Sequence, residues 1–322
     1  MGRTPAALVL AAAVATGVSA AFGQTAPPPA VCLGGTVAQA AECATKLERY
    51  EQLMDGMAQG VSLKALDPLY REVLAPHFAP ADLARFRFGY SPAQAPGRPT
   101  TDCDQAYFES ATLASLAANR QLAGRGQLGA LLHALAHASQ CATLGSRERY
   151  ARAWFDHLDW ATMRSMDLAQ LHAATPLEPK AVLREEQVWQ LLDGCCIDQN
   201  GLLIRPLAII GLTETAIAAT GAAPAQRIFT VKTAGGAHPL SYQGQIERNG
   251  VFQDVTTADG QATGASFAWS VPPPAYASAI PSVRVAFRVS VRQARTSLPS
   301  ASRDIQTMIA PPAVPGVLSP PA

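Results

Sequence analysis

Leu128-Gly129-Ala130-Leu131-Leu132-His133-Ala134-Leu135-Ala136-His137-Ala138-Ser139-Gln140-Cys141-Ala142 is the most apolar helical stretch of the chain, and two histidines four residues apart interrupt it. Residues four apart sit one turn above another on the same helix face, so both imidazoles can approach one metal ion from the same side. The segments around this stretch are helical too. Helical periodicity runs over 37–57, 62–74, 126–141, 147–157, 160–173 and 179–192, with a short helix opening at Pro80-Ala81-Asp82 and a strand over 85–90. Ser91 to Cys103, carrying Pro92, Pro96, Gly97 and Pro99, reads as a loop.

Near residue 200 the period changes. Val283, Val285, Phe287, Val289 and Val291 alternate with Arg284, Ala286, Arg288, Ser290 and Arg292, the period-two pattern of a half-buried strand. Asn249-Gly250, between Gln245-Ile246 and Val251-Phe252, signals a hairpin turn. Further strands are expected over 207–217, 227–232, 266–271 and 304–309. The expected fold class is therefore α+β: a mainly helical domain over 36–200, then a small antiparallel β-sandwich over 201–310. Arg284, Arg288 and Arg292 read as a solvated face or a charged edge rather than an anion site.

The ends carry different information. Arg3, the apolar run from Ala6 to Val18 and the small residues up to Gly23 have the order of a secretory signal peptide, assigned to 1–23. Residues 24–35, with Pro27-Pro28-Pro29, read as a flexible leader, and the Pro-rich 311–322 as a disordered tail. Cys32 lies too far from the cleavage site to carry a lipid anchor, and no later segment reaches the roughly 20 apolar residues of a membrane span. A periplasmic or secreted protein is expected.

The net charge of +1 comes from 25 basic and 24 acidic side chains that are intermingled, which excludes the concentrated basic face that nucleic acids require. All six cysteines precede residue 200. In an exported chain they are expected to pair, with connectivity left open. A direct Cys195–Cys196 bond is disfavoured, because neighbouring Cα atoms stand about 3.8 Å apart, below the usual disulfide range.

The His133–His137 spacing is that of the HExxH motif, in which the glutamate beside the first histidine activates zinc-bound water. Ala134 occupies that general-base position and can accept no proton. Around the motif the chain runs His133-Ala-Leu-Ala-His137-Ala-Ser-Gln140, then Gly145, then Tyr150-Ala151-Arg152-Ala153-Trp154-Phe155, with Leu83 to Tyr90 following Pro80 upstream. These segments resemble the zincin-like metallopeptidase domains of bacterial exported proteins, related to the core domain of extracellular contractile injection systems. There the motif reads His-Glu-Leu-Thr/Ala-His-Val-x-Gln, with a glycine a few residues later and a helix rich in Phe, Ala, Arg and Tyr. The resemblance spans residues 65–170, and its specific part is Ala-Leu-Ala-His-x-x-Gln.

That resemblance implies a zincin-like fold, zinc as the metal, and a third ligand from a Glu-x-x-x-Asp on the next helix. The counterpart here is Met163-x-x-x-Asp167. Methionine is a poor zinc ligand. His133, His137 and Asp167 are therefore the expected, vestigial metal residues, with Asp167 preferred to His157 and His172 because it falls on the following helix. Cys141 is excluded, since eight residues of helix put it about 12 Å from His133 along the axis. Glu178 and Glu185-Glu186 read as solvated helix charges, and Trp154, Trp160 and Trp189 as core.

Phosphate loops, nucleophile elbows and Cys-x-x-Cys redox pairs are missing from the sequence. No catalytic residue and no required cofactor are expected, zinc being the one metal the pair could hold. The expected function is that of an exported, non-catalytic zincin-like protein, a binding or structural module for an unidentified protein or cell-surface partner. The alternatives are a zinc metallopeptidase with an unusual base and a metal-free structural or adhesion protein.

Overall fold

Short polar caps and prolines divide the first half of the chain into brief helices. The computed structural model describes residues 29–33, 35–217, 226–248, 251–255, 257–261, 264–270, 283–295, 297–298 and 300–309. The signal segment 1–23, the tail 311–322 and the Asn249-Gly250 turn lie outside the described residues.

Helix α1 (Val37–Ala58) opens on a capping box in which Thr36 and Gln39 exchange side-chain-to-backbone hydrogen bonds. Then come β1 (Lys64–Ala65), α2 (Pro68–Leu74), α3 (Pro80–Arg85), β2 (Arg87–Tyr90), β3 (Thr100–Asp102), β4 (Gln105–Phe108) and α4 (Ala111–Ala118). The long α5 (Gly124–Leu144) carries the histidine pair, and α6 (Arg147–Phe155), α7 (Trp160–Ser165), α8 (Leu168–Ala174) and α9 (Glu178–Asp193) complete the half.

Several boundaries differ from those expected of the sequence, each for a local reason. The helix expected over 62–74 starts at Pro68, because Asp67 caps it and Lys64–Ala65 pairs with β2. The loop expected over 91–103 contains β3, which pairs with β4. The helix expected over 160–173 is two helices. Asp167 ends the first and caps the second, its carboxylate accepting from the Gln170 amide at 2.8 Å while Gln170 Oε1 accepts from the Asp167 amide at 2.9 Å. Within the leader, Ala30–Cys32 forms a 3-10 turn tied to α1 by the Cys32–Cys43 disulfide.

The β1-β2-β4-β3 sheet lies against one side of α5, where Phe86, Phe88 and Phe108 share a core with Leu128, Leu131, Leu132 and Leu135. A second core gathers Tyr50, Cys141, Tyr150, Trp154, Phe155 and Met163. Cys103–Cys141 joins the last turn of α5 to the β3–β4 turn. The third disulfide corrects the sequence expectation: Cys195 and Cys196 are bonded to each other, with Cα atoms 3.8 Å apart just after α9. Disulfides throughout this half are compatible with an oxidising periplasmic or extracellular setting. No helix among the described residues is long and apolar enough to cross a membrane.

The second half contains β5 (Ala208–Ile217), β6 (Gln226–Ala234), β7 (Ser241–Arg248), β8 (Val251–Val255), β9 (Thr257–Gln261), β10 (Gly264–Ser270), β11 (Val283–Arg292) and β12 (Ala301–Ile309). They form two antiparallel sheets, ordered β5-β6-β10-β9 and β12-β11-β7-β8. Both contribute to one apolar cluster, at whose centre Phe229 and Phe287 stack at 4.0 Å. Gly244 admits the Phe267 ring, since a Cβ there would come within 2.6 Å of it. Phe287, Val289 and Val291 face the cluster, as the alternation requires. Arg288, on the other face, pairs with Asp304 at 2.9 Å across the β11–β12 register. The halves meet where Arg295 donates to Asp193 at 2.7 Å and to the Ile197 carbonyl at 2.9 Å.

Candidate metal centre

α5 has two unlike faces in its central turns. Leu131, Leu132, Ala134 and Leu135 enter the apolar core, while His133 and His137, both fully buried, point between α8 and α9. The capping box at Asp167 starts α8 afresh and places His172 near its end. Trp154 stacks on the His172 ring at 5.2 Å and fixes its plane. α9 then begins at Glu178, where a carboxylate suits the positive end of the helix dipole.

The result is a convergence of three imidazoles on one carboxylate oxygen. Glu178 Oε2 lies 3.2 Å from His133 Nε2, 3.1 Å from His137 Nε2 and 3.0 Å from His172 Nε2. His137 Nε2 is 3.1 Å from His133 Nε2 and 3.5 Å from His172 Nε2. Ligands held tetrahedrally at about 2.0–2.1 Å from zinc stand about 3.3 Å from one another, because a tetrahedron's edge is about 1.63 times its centre-to-vertex distance. Five of the six separations among these four atoms, 3.0–3.5 Å, match that edge, and all four atoms lie within 4.8 Å of one another. The group His133, His137, His172 and Glu178 could hold a metal ion.

Outer contacts prepare these nitrogens for that role. Gln140 Nε2 donates to the Leu177 carbonyl at 2.9 Å, which turns its amide oxygen to His137 Nδ1, also at 2.9 Å. His137 Nδ1 must then carry the proton, leaving Nε2 with a lone pair facing the centre. Glu185 Oε2 faces His133 Nδ1 at 3.3 Å, off the line of a hydrogen bond, and neither atom has another hydrogen-bond partner. Gly129, one turn before His133, makes room for Glu185, whose Oε1 would lie 2.8 Å from any Cβ there. Arg98 bridges the two carboxylates, 3.1 Å from Glu178 Oε1 and 3.6 Å from Glu185 Oε2.

Electrostatics separates the members. Burial opposes a charge on Glu178, yet the three imidazoles outweigh it and hold the carboxyl well below the usual carboxylate range. Burial also opposes a proton on His137 and prevails, lowering its pKa. On His133 the same burial is overcome by the Glu178 and Glu185 carboxylates, and the pKa is raised. Bare lone pairs packed this closely, away from water, repel unless a cation or protons stand between them.

Two of the three expected metal residues, His133 and His137, belong to this group. Asp167 does not: its carboxylate caps α8, and the place assigned to it is filled by His172 and Glu178. Ala134 is fully buried in the apolar core, so a carboxylate at that position would face leucines rather than a metal-bound water. Cys141 is bonded to Cys103, His157 is exposed and Met163 is in the second core. Of the residues that sequence alone left aside, Glu178 and Glu185 are seven apart on one face of α9, a spacing that marks a shared helix face.

A cleft of about 370 Å³ opens beside the group, with His172, Glu178 and Arg98 in its wall together with Met57, Pro96 and Leu168. Its rim over residues 91–99 is pinned by Gln94, which donates to the Arg98 carbonyl at 3.1 Å and accepts from the Thr100 amide at 3.1 Å. Comparison with known proteins adds no relative: no protein-family model, no curated protein and no solved structure matches this chain.

Proposed function

We propose that the chain is an exported, zincin-like zinc-binding protein without peptidase activity. In this reading the metal locks α5, α8 and α9 together, and the two β-sheets form a sandwich that docks to a protein or cell-surface partner. One observation carries it: three buried Nε2 atoms converge within 3.0–3.2 Å of Glu178 Oε2. A donor set of imidazoles and one carboxylate, without sulfur, suits zinc, and four protein ligands leave no position for a reacting water. Ala134 supports the same conclusion, since nothing at that position can act as a base.

Metal analysis of the full chain, purified after periplasmic expression, tests the proposal. About one equivalent of zinc is expected, as is its loss in His137→Ala and in Glu178→Gln. Wild-type protein that takes up no zinc from a stoichiometric solution contradicts it.

The cleft beside Glu178 favours a second reading, in which this carboxylate leaves the apex to water and serves as the base of a metallopeptidase. Zinc-dependent cleavage of unfolded casein, abolished by Glu178→Gln in protein that still holds zinc, would establish the second reading over the first.

A further inference from the structure

Arg98 brings a guanidinium to the wall of the cleft, and it stands between Glu178 and Glu185. Imidazoles apart, these three groups and Asp167 at the rim carry two net negative charges. A divalent cation among the imidazoles brings that sum to zero.

The rest of the wall sets apolar Met57, Pro96, Leu168 and Ala169 beside polar Gln94 and Thr100. At about 370 Å³ the cleft is at the small end of ligand pockets, large enough for a molecule of amino-acid size. A guanidinium presents parallel donors that match a carboxylate. One guanidinium with carboxylates already beside it suits a monoanion better than a dianion such as phosphate.

We propose that this cleft binds a small carboxylate with an aliphatic body, its charged end on Arg98 beside the metal centre, and that binding depends on the metal. The inference rests on the zinc reading above, and goes beyond it by assigning a ligand class and an order: metal first, carboxylate second. Arg98 lies within reach of Glu178, so a carboxylate on Arg98 competes with Glu178 Oε1 for the same donors. Ligand binding and the hold of Glu178 on the metal are thereby coupled.

Calorimetry on the zinc-loaded full chain, with isovalerate as the probe, is the test. Isovalerate is expected to bind, and to bind at least about tenfold more weakly to metal-free protein and to Arg98→Gln, because a hydrogen-bonded charge pair is worth about that much. Isovaleramide, the neutral isostere, and inorganic phosphate should both bind more weakly than isovalerate. Ala169→Trp, which fills the cleft without replacing any of the four residues of the metal group, should abolish isovalerate binding with zinc content unchanged. No heat with isovalerate, equal affinity for acid and amide, tighter binding of phosphate, or equal affinity with and without zinc would each overturn the proposal. A chain that takes up no zinc would instead bring down the metal reading itself, and the metal analysis separates that failure from this one.

Discussion

The helical half ties short elements together with two disulfides, Cys32–Cys43 and Cys103–Cys141, and packs them around a buried group of imidazoles, whereas the β-rich half has no cysteine and extends its order through long antiparallel registers. In the first, Asp67, Ser110, Ser146, Asp159 and Asp167 each cap a helix of nine residues or fewer. Helices so short are marginal by themselves and draw their stability from tertiary fixings. In the second, Phe229, Phe267 and Phe287 unite two sheets through burial alone, and among the described residues no comparable group of ligating side chains converges there. Cross-links and side chains that could hold a metal accumulate where secondary structure is most fragmented.

The largest effect should come from breaking the first half at its centre. Ala134→Glu puts a carboxylate among Leu131, Leu132 and Leu135 and should cost about 5 kcal/mol or more, destroying the helical half without creating peptidase activity. Denaturant unfolding followed by circular dichroism reads this. Phe287→Ala attacks the other half, at about 3–5 kcal/mol, with zinc content preserved. If zinc is lost as well, the Arg295–Asp193 junction couples the halves more tightly than their separate cores suggest.

Smaller changes sharpen the contrast within the helical half. Gln140→Leu removes the acceptor on His137 Nδ1 and should weaken zinc binding about 10- to 100-fold, measured by chelator competition, while the fold remains. Asp167→Ala removes only a helix cap. It should cost about 1 kcal/mol of stability and leave zinc stoichiometry at the wild-type value.

How much of this the sequence disclosed follows the same division. The alternation at 283–291 and the Asn249-Gly250 pair suffice for β11 and for the β7–β8 pairing, because a period of two over ten residues is hard to mistake. Strands of three or four residues, such as β3 and β4, carry too little periodicity to be seen. The histidine pair was legible because helical spacing is local. The other two members of the group were not, because Glu178 opens a helix that meets α5 only in the folded chain. Asp167-Leu168-Ala169-Gln170 did contain a local signal, the Asp-x-x-Gln of a capping box. It divides the expected helix in two, assigns Asp167 to the cap and leaves His172 free to turn toward the pair. The Cys195–Cys196 bond escaped because a preference for separated cysteines is statistical and yields to local backbone geometry.

Zinc K-edge absorption spectroscopy on the purified full chain tests the centre most directly. The predicted spectrum has a first shell of three nitrogens and one oxygen at about 2.0–2.1 Å, with the outer-shell pattern of three imidazoles, becoming that of two in His172→Ala. A sulfur ligand, or a wild-type spectrum that shows only two imidazoles and is unchanged by His172→Ala, would contradict the convergence of His133, His137, His172 and Glu178 on one ion.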